Sequence, residues 1–170
     1  MHDIDIPSAW VVRWGGRIAR TGRVLDVASG HGRHAQWLAA RGYAVDAVDR
    51  DAEALSALSH VNNVTTIHAD IENGPWPCER GKYAGVVVTN YLHRPLFSEL
   101  IAALAAGGVF IYETFAVGNE RYGRPSNPAF LLKPGELLEV VRGRLRVIAY
   151  EDLEVSEPKP AAVQRICAIG

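Results

Sequence analysis

VLDVASGHGR, residues 24–33, runs from an apolar stretch into a turn that carries Gly30 and Gly32. Written as Gly30-x-Gly32-x-x-Ala35, with Asp49 further along, it satisfies the spacing of a dinucleotide-binding turn and its ribose-binding acid. Asp26 speaks against a dinucleotide. It stands at the end of the apolar stretch, where its carboxylate would crowd the turn that a diphosphate must occupy, and like charges at that range repel. The turn is also longer than a dinucleotide site requires, because Asp26-Val27-Ala28-Ser29 precede the first glycine. A nucleoside with no phosphate and with positive charge near the turn suits these residues better.

Outward from this turn, strand and helix patterns alternate, the order of a parallel sheet covered by helices on both faces. Residues 24–27 read as the first strand and residues 34–41 as a helix, with Ala35, Leu38 and Ala39 at helical spacing and Gly42 where the helix stops. Residues 43–48, 64–68, 83–89 and 109–115 read as further strands, and Val86-Val87-Val88 suits a central one. Residues 51–60 and 95–106 read as helices, the second broken by Gly107-Gly108. Residues 72–82 read as a loop where a crossover helix would be usual, and residues 116–133 as a long irregular stretch of a kind that often carries function.

Residues 134–141 suggest a short helix, and residues 145–153 and 163–169 the last two strands. The gap between those strands is too short for a parallel return, so an antiparallel hairpin is expected. The fold class is therefore α/β: a doubly wound, mostly parallel, seven-stranded Rossmann-like sheet with a C-terminal antiparallel hairpin strand, in one domain over residues 1–170. Residues 7–20 read as an amphipathic helix that packs Trp10 and Trp14 on the sheet, within an N-terminal covering segment of residues 1–21.

Bulk properties narrow the partners. At 170 residues and 48% hydrophobic, the chain can bury one sizeable core. A net charge of -1 gives no global field to gather polyanions, so nucleic acid is not expected as a partner, although a local basic patch stays open. Cys78 and Cys167 have no metal-type spacing and read as buried thiols, with no metal site. The N-terminus MHDIDIPSAW has acids where a signal peptide needs bases, and no segment reaches the length of a membrane span. A cytoplasmic location without membrane contact is expected.

The pattern Asp26-x-Ala28-x-Gly30-x-Gly32 resembles the first motif of class I S-adenosylmethionine-dependent methyltransferases, with Ala28 at a position commonly glycine. The likeness covers about residues 22–115, and small size with few additions makes the tellurite-resistance type the nearest general relative. It implies S-adenosyl-L-methionine as cofactor. Asp49 then looks like the acceptor of the ribose hydroxyls, and Asp70 with Ile71 like the pair that meets adenine. Asn90 would end the fourth strand near the methionine portion. The cofactor-binding set implied is Asp26, Ala28, Gly30, Gly32, Asp49, Asp70, Ile71 and Asn90.

His93, in the loop where this family brings its acceptor, and Glu113, at the end of the fifth strand, are the candidate general bases. A charge pair with an arginine of the next loop is the competing role for Glu113. His31 and Arg33 stay unassigned. Arg13 could meet the cofactor carboxylate, Arg121, Arg124 and Lys133 an anionic acceptor group, and Lys159 and Gln164 could approach the acceptor from the last hairpin. Tyr91, Tyr112, Phe115, Tyr122 and Phe130 could line an acceptor pocket, although aromatics flanking strands more often join the core, and Tyr122 is the one clearly inside the long loop. The expected function is methyl transfer to a small-molecule acceptor. An NAD(P)-binding oxidoreductase and a non-catalytic cofactor-binding protein are the alternatives.

Overall fold

Three consecutive valines set the layering of the sheet. In the computed structural model, which describes residues 6–170, Val86 and Val88 enter one apolar layer and Val87 the other, the alternation of a strand buried on both faces. They belong to β4 (Tyr83–Thr89), which lies between β1 (Arg23–Val27) and β5 (Leu104–Phe115). Beyond β1 come β2 (Ala44–Asp49) and β3 (Val64–His68), and beyond β5 come β7 (Ala161–Ile169) and β6 (Arg146–Val155). The order is β3-β2-β1-β4-β5-β7-β6. The first five strands are parallel, whereas β7 runs antiparallel to both β5 and β6, which is the terminal hairpin that the short connection implied. The carboxyl ends of β1 to β5 consequently share one rim.

Short helices close both faces. On one side α1 (Ala9–Trp14), α2 (Arg33–Ala39) and α3 (Ala52–Ser56) bury Trp10, Val11, Leu38 and Leu55, and on the other α4 (Phe97–Ala102) and α5 (Glu136–Val141) bury Leu100, Leu137 and Val141. Helices of five to seven residues are not stable by themselves, so burial against the sheet holds them. Cys78 and Cys167 are free and buried. No helix of the described residues is long and apolar enough to cross a membrane.

Three helices are shorter than their sequence pattern. The helix expected over residues 7–20 keeps α-geometry only over Ala9–Trp14 and tightens into a single turn at Gly15–Arg17. The helix expected over residues 95–106 stops at Ala102, because the carbonyls of Ala102 and Ala103 accept the Gly81, Lys82 and Tyr83 N–H groups and Leu104 already pairs with Tyr83 as a strand. The helix expected over residues 51–60 keeps α-geometry only to Ser56, and the chain continues in tight turns bonded three residues apart. Residues 72–82 form a loop, as their prolines and glycines indicate.

The long segment after β5 is tied down at both ends. Arg94 donates to both Glu136 carboxylate oxygens at 2.7 and 2.9 Å and to the carbonyls of Ala129 and Leu131. Buried Asn119 accepts from the Ala162 N–H and donates to the Pro125 carbonyl. Gln164 is equally buried, spanning the Leu137 N–H and the Lys133 carbonyl, so it holds the start of α5 and faces no acceptor.

At the other end of the chain, residues 1–5 of the expected covering segment lie outside the described residues, and residues 6–8 cross the rim between α2 and β5. Ser8 caps α1, donates its hydroxyl to Glu113 at 2.6 Å and gives its N–H to Nε2 of His34 at 3.0 Å. An Nε2 that accepts leaves the proton on Nδ1, which faces the Thr89 hydroxyl at 3.3 Å. Burial lowers the His34 pKa to about 3. Its folded pKa lies below the ordinary value, so its stabilisation is complete above about pH 6.5 and drains away as pH falls toward 3. Urea unfolding should show wild type losing about 2 kcal/mol between neutrality and pH 5 relative to His34→Gln. Parallel pH profiles for the two proteins would refute that role.

Candidate active site

The positions where β1 to β4 end carry the polar groups of the rim. After β1 the backbone turns through positive φ at Ala28 (53°), Gly30 (56°) and Gly32 (79°), and Asn90 after β4 has φ 52°. Positive φ costs a residue with a Cβ about 1 kcal/mol or more, so Ala28 and Asn90 are held there by their surroundings. The two glycines differ in purpose. A Cβ on Gly30 would point into open space, whereas one on Gly32 would lie 2.4 Å from Leu58 Cδ2. Gly32 is thus small for packing, and Gly30 borders the free volume above the turn.

Asp49 locks this turn to the neighbouring strand. Its Oδ2 accepts the Gly30 N–H and its Oδ1 the Asp51 N–H, both at 2.8 Å, while Asp51 caps α3 through the Ala54 N–H. Asp70 makes a local turn, accepting the N–H groups of Glu72 and Asn73 and the Asn73 side chain, and these bonds hold its carboxyl below the usual range. Asp26 is elsewhere. It is buried under the turn, where its Oδ2 accepts the Ala35 N–H at 3.0 Å in the first turn of α2.

A cavity of about 170 Å³ opens on the rim, lined by Ala28, Asp49, Arg50, Ala69, Asp70, Ile71, Glu72 and Tyr91. Four of the eight residues expected at the cofactor are among its lining: Ala28, Asp49, Asp70 and Ile71. Gly30 is bonded to that lining through Asp49, Gly32 and Asp26 act from beneath, and Asn90 is bonded by its N–H to the Glu113 carbonyl. Sequence reasoning missed Glu72 and Arg50, whereas Tyr91 is one of the aromatics it offered for a pocket lining. The Tyr91 hydroxyl donates to Glu72 at 2.9 Å, and His93 Nδ1 lies 3.4 Å from the same carboxylate. Three side chains from two loops therefore meet at the cavity mouth, and no spacing in the sequence announces the meeting.

Other expected participants are committed elsewhere. Glu113 accepts from Arg165 at 3.0 Å and from Ser8, and Arg165 also bonds Glu151. The arginine partner thus comes from β7 and not from the loop after β5. Arg13 lies over the Trp14 ring, away from the cavity lining. Arg121 pairs with Glu154, which also accepts from Tyr122. Arg124 borders a shallow depression of about 420 Å³ made by Arg124, Pro125, Ser126, Asn127 and Phe130, residues of one loop. Being shallow and drawn from one segment, it is a weaker ligand site than the convergent cavity at the strand ends.

Comparison with known proteins follows this geometry. A family model described as a methyltransferase domain matches residues 24–108. The chain belongs to that family. Among curated proteins no sequence matches. Solved structures of similar fold include TehB from Haemophilus influenzae (18% identity, TM-score 0.78, over 96% of this chain and 62% of TehB). They also include an S-adenosylmethionine-dependent methyltransferase from Mesorhizobium loti (14%, TM-score 0.73, 96% and 98%). A third is geranyl diphosphate C-methyltransferase from Streptomyces coelicolor A3(2) in complex with S-adenosyl-L-homocysteine (18%, TM-score 0.69, 94% and 77%). The chain therefore spans less than two thirds of TehB's length. At these identities the likeness is one of fold.

The cofactor of such class I methyltransferases is S-adenosyl-L-methionine, and the rim of this methyltransferase fits it. Each Asp49 oxygen keeps a second lone-pair direction open to a hydroxyl donor, Ile71 adds apolar surface to the cavity lining, and open space stands over Gly30. The same bond argues against a diphosphate, because the Gly30 N–H it would need is already taken by a carboxylate. Asp26 contributes less to that exclusion than its formal charge suggests, since burial raises its pKa to about 7.

Because the Asp26 pKa is raised on folding, its favourable contribution is complete below about pH 4 and is lost as pH climbs to 7. Asp26→Asn retains an oxygen for the Ala35 N–H, so between pH 4 and pH 7 wild type should lose roughly 3 kcal/mol that the variant keeps, read by urea midpoints. At the rim, Asp49→Ala is expected to weaken S-adenosyl-L-methionine binding at least tenfold in calorimetry. Full affinity in that variant would remove Asp49 from the cofactor site.

Proposed function

We propose that this methyltransferase acts on a small-molecule acceptor brought to the cavity mouth beside His93. The cluster of Tyr91, Glu72 and His93 carries this reading, since it gathers a base, a carboxylate and a hydroxyl at the mouth of the cavity. S-adenosyl-L-methionine, when bound, supplies a methyl group made electrophilic by the sulfonium. The protein's tasks are then to align a nucleophile, keep water out and receive a proton. Asp49 orients the ribose, Ile71 and Asp70 the base, and Ala28, Gly30 and Asn90 shape the backbone around the ligand.

His93 takes the acceptor's proton, with Glu72 facing Nδ1 so that Nε2 is presented to the acceptor. Glu113 is the less suitable base, because its two oxygens are already engaged by Arg165 and Ser8. It serves better as the post to which the covering residues 6–8 are tied. The whole chain acts as one domain, with the segment after β5, clamped by Arg94, completing the acceptor side. A small acceptor also accords with the name of the Streptomyces enzyme of similar fold, which specifies geranyl diphosphate.

The test is incubation with methyl-labelled S-adenosyl-L-methionine and fractionated cell extract, and label is expected among small molecules. Label confined to RNA or protein would overturn the acceptor class, and calorimetry showing NAD(H) binding without S-adenosyl-L-methionine binding would favour an oxidoreductase. With the labelled acceptor in hand, His93→Ala should lower turnover roughly a hundredfold and Glu72→Gln about tenfold. Unchanged turnover in both would remove the proposed base.

A further inference from the structure

The bulk charge of -1 conceals a strong asymmetry. Between residues 6 and 45 the chain carries six arginines and a single acid, Asp26, which is buried. Arg23 is bonded to Asp46, and Arg33 donates to the Ile6 carbonyl. The other four, Arg13, Arg17, Arg20 and Arg41, are exposed and have no carboxylate partner among the described residues.

Contacts join these four into one surface. Arg13 and Arg17 lie over the Trp14 ring, at 5.0 and 5.6 Å from its centroid. Next to them Gly15 is packed against Trp37, whose ring is covered by Arg41 at 3.9 Å. Arg20 donates to the Arg41 carbonyl at 2.5 Å and lies over Tyr43. The result is a continuous face of guanidinium groups beside aromatic rings, built from α1, the turn after it and the end of α2. It lies on the side of the sheet away from α4 and α5 and shares no residue with the cavity lining.

We propose that this arginine–aromatic face is a docking surface for single-stranded RNA, additional to the methyl-transfer reading and independent of the acceptor. The rings anchor the guanidinium groups at the surface, where their N–H donors suit phosphates and planar groups beside aromatic rings suit unstacked bases. Nothing projects that could enter the groove of a duplex, because α1 has six residues and buries Trp10 and Val11 against the sheet. A lipid surface is a poorer match. Insertion needs an apolar stripe beside the charges, and Val12 and Ile6 are the large exposed apolar side chains of residues 6–45.

The probe is a fluorescein-labelled twelve-nucleotide oligouridylate titrated with the full chain and followed by anisotropy at several salt concentrations. Four phosphate contacts predict a log Kd against log salt slope near 3 in magnitude, and affinity in the range of about 1 to 100 μM at low salt. Arg13→Gln with Arg17→Gln should weaken binding roughly tenfold and halve that slope, while S-adenosyl-L-methionine binding by calorimetry stays unchanged, which separates loss of the surface from loss of the fold. Arg142→Gln with Arg144→Gln, exposed arginines elsewhere, should have no effect. No binding at 0.2 mM protein, or an unaffected Arg13/Arg17 double variant, would overturn the proposal. So would phosphatidylserine vesicles or inorganic polyphosphate binding as tightly as RNA at equal phosphate concentration, since stacking would then contribute nothing.

Discussion

The Asp49 carboxylate reaches from the end of β2 to the Gly30 N–H in the turn after β1, and that bond sets much of what surrounds the rim. It positions the turn against its neighbour, forms part of the cavity wall and, through the Asp51 N–H, fixes the start of α3. Hydrogen bonds to a charged acceptor are worth about 1.5–3 kcal/mol each, enough to hold a backbone at positive φ that would otherwise cost energy. The interaction also disfavours a diphosphate, because a turn whose N–H is answered by a carboxylate has one donor fewer to offer it.

A second set of ionisable groups works out of sight of the cavity. Asp26 ties α2 to the end of β1, His34 ties the N-terminal residues to α2, and Glu113 ties them to β5 and, through Arg165, to β7. Burial shifts Asp26 up and His34 down, so both tend toward neutral forms near pH 7, where a low dielectric penalises charge least. Acids near one rim thus divide into those that shape the scaffold and those left open to a ligand. Asp49, Asp70 and Glu72 belong to the second group because they reach the cavity surface.

Much of the architecture was readable from the chain. Val64–His68 and Tyr83–Thr89 form strands with the bounds their patterns suggest, and the terminal hairpin follows from a connection too short for a crossover. The helix through residues 95–106 is instructive because its alanines favour helix, yet the N–H groups of Gly81, Lys82 and Tyr83, leading into β4, capture the carbonyls of Ala102 and Ala103 and the chain turns to strand. Local propensity amounts to tenths of a kcal/mol per residue and yields to sheet pairing that the local sequence does not display. Gln164 and Arg121 show the same limit at the level of roles. Each looked available to a substrate as a residue type near the rim, and each is occupied by a partner distant in sequence.

The sequence by itself determined the alternating architecture, the glycine turn and the acids at strand ends, because these depend on periodicity, backbone freedom and spacing within a few residues. Only the tertiary structure decided which acids face the cavity. It also brought Tyr91 and His93 onto Glu72 and gathered scattered arginines on one aromatic-backed face. The physical reason is that burial and partnership depend on groups tens of residues apart, and a side chain's charge, reach and availability are settled by whatever the folded chain places beside it.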